Sequence, residues 1–167
     1  MPNSAEEKGL LGSYHYVENP EFPLKNTIAC LNIDMIGRMD KFHPNDSNYV
    51  YLIGADKLST DLHNISESAN KKYVKIDIDY KFNDPKDPNR FYYRSDHYNF
   101  AKKNIASIFY FSGVHEDYHK HTDTTEKLIY EKVEKITKLI FYTAWDLANA
   151  TERPKVDKTN TFNLNRY

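Results

Sequence analysis

The chain has 167 residues, enough for one domain with its own core, and its 23 basic and 24 acidic side chains nearly cancel, which favours neither nucleic acid nor an anionic membrane as partner. Its single cysteine, Cys30, lies inside an apolar run and excludes a disulfide framework, and no apolar stretch approaches the ~18 residues of a membrane span. Polar residues follow Met1 at once, without the pattern of a signal peptide.

The opening segment, Ser4 to Asn19, reads as a short helix weakened by Gly9 and Gly12, each costing up to about 1 kcal/mol in a helix interior, and ended by Pro20 and Pro23. Thr27 to Ile36 is nearly continuous apolar sequence closed by Gly37, the pattern of a strand buried on both faces. Asp34 near its end is out of place there, because a carboxylate at that depth needs a cation, a metal or a set of N–H donors. Asn48 to Gly54 reads as a second strand, and Ser59 to Lys71 as a helix with Leu58, Leu62, Ile65 and Ala69 on one side. Val74, Ile76, Ile78 and Tyr80 alternate with polar residues, as in a half-buried strand toward a sheet edge. A Pro- and Asp-rich loop follows, then a helix from Asp96 to Lys103 and a core strand from Ile105 to Phe111. Ile129, Val133, Ile136, Ile140, Ala144 and Leu147 recur every three or four residues, with Glu131, Lys132, Glu134, Lys135 and Lys138 on the polar side of this longest helix. The reading is α/β, a mixed β-sheet with helices on both faces, over residues 1–150, followed by a polar C-terminal tail, 151–167.

Gly113 to Thr124, G-V-H-E-D-Y-H-K-H-T-D-T, puts three histidines and three acids into the loop after the last core strand, where α/β sheets place their ligand sites. Such residues in a surface loop are more often solvated than ligating, so the loop alone decides nothing. Three other features join it: Glu6-Glu7 before a Gly-rich helix start, Asp34 at the end of a strand, and Ser95-Asp96-His97 at a helix start. Carboxylates and imidazoles to fix metals, a further carboxylate as base and a neutral donor for an oxyanion are the parts of a zinc hydrolase.

A-E-E-K-G-L-L-G-S, L-N-I-D-M-I-G-R, Y-R-S-D-H-Y-N-F-A-K-K and H-E-D-Y-H-K-H-T-D-T closely resemble, in order, the motifs of M28-family zinc aminopeptidases, from about Ala5 to Lys158. The resemblance implies a zinc-exopeptidase (phosphorylase/hydrolase-like) fold, two zinc ions, and removal of N-terminal residues from peptide substrates. It implies that Glu6 is the general base, that Glu7 and His119 hold one zinc, that Asp34 belongs to the other, and that Tyr118 donates to the oxyanion. Asp96 and His97 fall in a characteristic segment and support the ligands from behind or cap the helix. Without the resemblance, Glu6 and Glu7 read as complements of a helix dipole. His115 and His121 read as solvated or supporting, and His15, His43 and His63 as surface residues.

The family also has a histidine and a metal-bridging aspartate upstream of the paired glutamates, together with several strands, and this chain holds only M-P-N-S-A before Glu6. The resemblance therefore implies the C-terminal part of a longer secreted or periplasmic enzyme, with incomplete zinc sites and little activity alone. The sheet surface left open is expected to favour a homodimer. Glutaminyl cyclases, which share the fold with one zinc, and a non-catalytic remnant that binds a partner are the competing readings.

Overall fold

A computed structural model describes residues 1–160. Four strands, β1 (Cys30–Ile33), β2 (Tyr49–Ile53), β3 (Asp77–Asp79) and β4 (Ser107–Phe111), form one mixed sheet in the order β1-β4-β2-β3. β1 runs parallel to β4, with Cys30 opposite Ser107, and β3 runs parallel to β2, whereas β2 and β4 are antiparallel with Tyr51 opposite Phe111. Every residue of the two central strands is buried, which is why Y-V-Y-L-I and, after Ser107, I-F-Y-F read as unbroken apolar runs.

Side chains alternate across these strands. Val50, Leu52, Ile108 and Tyr110 face α2 (Thr60–Ala69) and α4 (Tyr130–Ala148), packing on Leu62, Ala69, Ile136 and Leu139. Tyr49, Tyr51, Phe109 and Phe111 face the other side, where they meet Phe82, Phe91, Tyr92 and Ala101 of α3 (His97–Lys102). α1 (Leu11–Glu18) then packs on α3 through Val17 and Phe100. Helices thus cover both faces of the mixed sheet, as the sequence pattern anticipates. Among the described residues no helix is long and apolar enough to cross a membrane.

Four local expectations need correction. β1 is four residues long and is not buried on both faces: it lies at the sheet edge, and Ile33 is 50% exposed. The alternating segment from Val74 gives a strand only at Asp77–Asp79, because α2 continues into a π turn, Asn70–Val74, closed by Lys75 in the left-handed region. The opening segment is split: one 3-10 turn, Glu6–Lys8, is separated from α1 by Gly9 and by Leu10 at φ 60°. On α4, Ala144 is exposed and Lys132, expected on the polar side, is only 2% exposed. Its Nζ donates to the carbonyls of Ser47 and Tyr49 and lies 3.5 Å from the centre of the Tyr49 ring, and burial lowers the ammonium to about 8. Hydrogen bonds to the two carbonyls make that burial tolerable.

The described part of the tail docks on the body. Arg153 donates to the carbonyls of Lys25 and Thr27, Asp157 accepts from the Thr60 N–H at 2.9 Å beside the Ser59 cap of α2, and Asn160 donates to the Ala101 carbonyl at 3.1 Å. Residues 161–167 of the expected tail lie outside the described residues.

Candidate metal centre

The 3-10 turn carrying Glu6 and Glu7 is held by its neighbours. Gly12 N–H donates to the Ser4 carbonyl at 2.9 Å, and a Cβ on Gly12 would stand 2.5 Å from that oxygen, so only glycine lets the two backbones meet. Asn99 of α3 ties the next residues down, donating to the Leu10 carbonyl at 3.0 Å and to Ser13 Oγ at 2.8 Å. Asp34 leaves the end of β1, its Oδ2 accepting from Ser95 Oγ at 3.0 Å while Ser95 accepts from Asn32 Nδ2 at 2.8 Å. The partner required by a carboxylate there is thus in part a serine of the segment preceding α3.

β4 ends at Phe111, and the chain passes through Ser112 and Gly113 into the loop that carries Tyr118 and His119. Asp117 is the loop's anchor: Arg38 reaches it at 2.7 Å, Lys127 at 2.8 Å and Thr122 at 2.7 Å, and Arg38 also holds Asp123 at 2.7 Å. The Lys127 ammonium, then Arg38 and Thr122, keep the Asp117 carboxyl well below the usual carboxylate range. His115, Asp117 and Asp123 have donor atoms all within 4.8 Å of one another. Arg38 and Lys127 already supply cations there, so the group serves as an ionic fastening for the loop.

The fastening delivers His119 to Glu7: Nε2 lies 2.7 Å from Oε1, with His119 stacked on Tyr118 at 3.9 Å between ring centres. His119 (φ 57°), Met35 (φ 53°) beside Asp34, and Ala5 (φ 54°) beside Glu6 all hold left-handed backbone without being glycine. Such conformations cost about 1–3 kcal/mol each and concentrate at functional sites. Glu6, Glu7, Asp34, Tyr118 and His119 line one cavity of about 850 Å³. Burial, then Asp34, Glu7 and Asp96, push the Glu6 carboxyl up to about 7 against the pull of His119. Burial also raises Asp34, opposed by the Ser95 hydrogen bond and aided by Glu7 and Asp96. Four carboxylates thus repel one another around a single imidazole.

Asp96 is buried with Oδ1 lacking a hydrogen-bond partner, and its side chain makes no capping bond to α3. His97 turns away from the cavity into the core, stacked on Phe109 at 4.9 Å and edge-on to Tyr92 at 5.1 Å. Burial lowers its imidazole to about 3, opposed by the Tyr92 backbone, so the ring is neutral. His15 is exposed, but His43 is half-buried, stacked on Tyr49 at 3.7 Å and 3.1 Å from Asp79.

The donor set suits zinc. A carboxylate and an imidazole nitrogen in contact are two of the ligands zinc takes, and tetrahedral bonds of ~2.0–2.1 Å would hold such atoms about 3.3 Å apart, close to the 2.7 Å between them here. Asp34 stands apart from that pair: these three residues do not form a group with all donor atoms within 4.8 Å.

The sequence matches Peptidase family M28 over residues 1–144. The chain belongs to this family. Among solved structures, the M28 chain is similar to the LapA aminopeptidase of Legionella pneumophila, at 26% identity and TM-score 0.71 over 90% of this chain. It shares its fold with BSAP, a zinc aminopeptidase from Bacillus subtilis, at 22% identity and TM-score 0.64 over 93% of the chain. An aminopeptidase from Aneurinibacillus sp. strain AM-1 gives 20% identity and TM-score 0.63 over 92%. The chain spans 38% of the LapA chain, 36% of BSAP and 32% of the Aneurinibacillus enzyme. No curated protein matches it.

Sequence reasoning passed over Arg38, Lys127 and Arg94. Arg38 stood inside a quoted motif, L-N-I-D-M-I-G-R, but its partners are 79 and 85 residues away, and no spacing rule reaches that far.

Proposed function

We propose that this M28 chain forms part of the active site of a zinc aminopeptidase that removes N-terminal residues from peptides. The observation that carries the reading is the contact between Glu7 and His119, facing Glu6 and Asp34 across one cavity. Glu7 and His119 hold one zinc, and Asp34, steadied by Ser95, contributes to a second. Zinc, when bound, polarises the scissile carbonyl and acidifies a water. Glu6, raised by its surroundings, accepts a proton from the attacking water and passes it to the leaving amine. Tyr118, neutral and beside the Arg94 guanidinium, donates its O–H to the developing oxyanion. Asp96 sets the electrostatic field behind Glu6 and Asp34, while His97 supports the wall by packing.

Two ligands for one metal and one for the other leave both sites short, so the 167-residue polypeptide alone is expected to have little peptidase activity. The parent enzyme is read as secreted or periplasmic, and a second copy of the chain as a partner on the open β1 edge. Calorimetric zinc titration of metal-free protein tests the site. Binding that falls at least tenfold in both Glu7→Ala and His119→Ala is the expected result, in line with the ~10–100-fold cost of weakening a metal's supporting groups. Equal binding by wild type and both variants would refute it.

A further inference from the structure

A second cavity, about 920 Å³, lies beside the first, and Phe91, Arg94, Val114, His115 and Tyr118 line both. Either volume alone reaches the upper part of the roughly 300–1,000 Å³ range of small-molecule pockets, so a single amino acid has no need of the second. The shared wall is the place where a longer chain would cross.

Arg94 crowns that wall. It is exposed, its guanidinium carbon 5.1 Å from the centre of the Phe91 ring and beside the Tyr118 hydroxyl. Among the described residues no carboxylate lies within 4.0 Å of it, whereas Arg38 in the first cavity is taken by Asp117 and Asp123. The acids of the second cavity do not claim it. Asp40 is buried and accepts from Tyr51 Oη at 2.9 Å and the Phe42 and His43 N–H groups at 3.0 and 3.1 Å, while Glu116 is exposed. Lys41, on the second cavity's wall, sits over Phe42 at 5.1 Å and adds positive potential. An arginine propped on an aromatic face, hydrogen-bonded to the Tyr118 hydroxyl and with no carboxylate of the described residues on its fork, is prepared for a carboxylate.

We propose that the second cavity receives the part of the peptide beyond the cleaved bond and that Arg94 there binds a substrate carboxylate, either an acidic side chain or the peptide's own C-terminus. This rests on the peptidase reading and names its specificity. The carboxylate docks over the Arg94–Tyr118 ridge, so Arg94 is a specificity-determining residue that leaves the reacting atoms to others.

Binding of four peptides to the zinc-supplemented chain, followed by calorimetry so that turnover is not needed, tests this: Leu-Gly-Gly-amide, Leu-Glu-Gly-amide, Leu-Lys-Gly-amide and the free acid Leu-Gly. At least one carboxylate-bearing peptide is expected to bind about tenfold tighter than the neutral amide, the ~1.4 kcal/mol of a charge-assisted hydrogen bond partly screened by water. A gain with Leu-Glu-Gly-amide assigns the subsite to a side chain, and a gain with Leu-Gly assigns it to a chain end. Arg94→Gln should erase the gain and leave the neutral amide unchanged, and Arg94→Lys should keep part of it. Equal binding of all four peptides, or a gain that survives Arg94→Gln, overturns the proposal while leaving the peptidase reading intact. Failure of every peptide to bind overturns both.

Discussion

His97→Leu separates packing from acid–base behaviour at the core wall behind the site. The imidazole titrates at about 3 in the folded chain against an ordinary value of 6.5. A base with a depressed folded value keeps its full stabilising contribution above pH 6.5 and loses it as pH falls toward 3, because the unfolded chain takes up a proton that the folded chain refuses. Between pH 7 and pH 5 the loss is about 2 kcal/mol, at ~1.36 kcal/mol per unit once the unfolded histidine protonates. Glu6 acts in the opposite sense: its folded carboxyl, pushed up to about 7, takes a proton in the same interval and favours the folded state. The wild-type curve therefore mixes two opposed effects, and only the difference between proteins isolates His97. Urea unfolding of both proteins at pH 7 and pH 5, followed by circular dichroism, supplies it. His97→Leu, near in volume, is expected to cost under ~1.5 kcal/mol at pH 7 and to gain about 2 kcal/mol on wild type by pH 5. Parallel pH responses in the two proteins would refute the buried, neutral ring.

Gly113 sits at φ 89°, and a Cβ there would stand 2.3 Å from Asp40 Oδ2, so Gly113→Ala should cost on the order of 2–4 kcal/mol through strain and displacement of a hydrogen-bonded carboxylate, and should weaken zinc binding with it. A melting temperature within 2–3 °C of wild type, roughly what ~1 kcal/mol does to a chain of this size, would contradict that. The open edge of β1, flanked by exposed Ile28 and Ile33, should pair with a second chain: light scattering is expected to give twice the monomer mass and Ile33→Lys to restore the monomer. A monodisperse wild-type monomer over a wide concentration range would end that expectation.

Where local sequence decides structure, the chain was readable. β2, β4, α2 and α4 follow from apolar runs and helical periodicity, and their packing supplies the core. Local pattern could not show that Thr27 to Ile36 becomes a short, exposed edge strand, since an apolar run reads alike whether or not a neighbour covers it. Lys132 was missed because its partners, the carbonyls of Ser47 and Tyr49, lie more than eighty positions away. Glu6, Glu7, Asp34, Tyr118 and His119 were named from motif resemblance, and they line one cavity. The fastening of their loop by Arg38 and Lys127, and the core placement of His97, depended on tertiary contacts that no spacing encodes.

Glu7 and His119 are separated by 112 positions along the chain. Bringing the ends of so long a segment together costs about 4 kcal/mol of chain entropy, and an exposed ion pair returns at most ~1 kcal/mol. The pair cannot assemble itself. Its encounter is a by-product of the pairing of β1 with β4 and of the docking of α1 on α3, so the capacity to bind an ion should come and go with the whole sheet, and ion binding reports on global folding as directly as any spectroscopic probe.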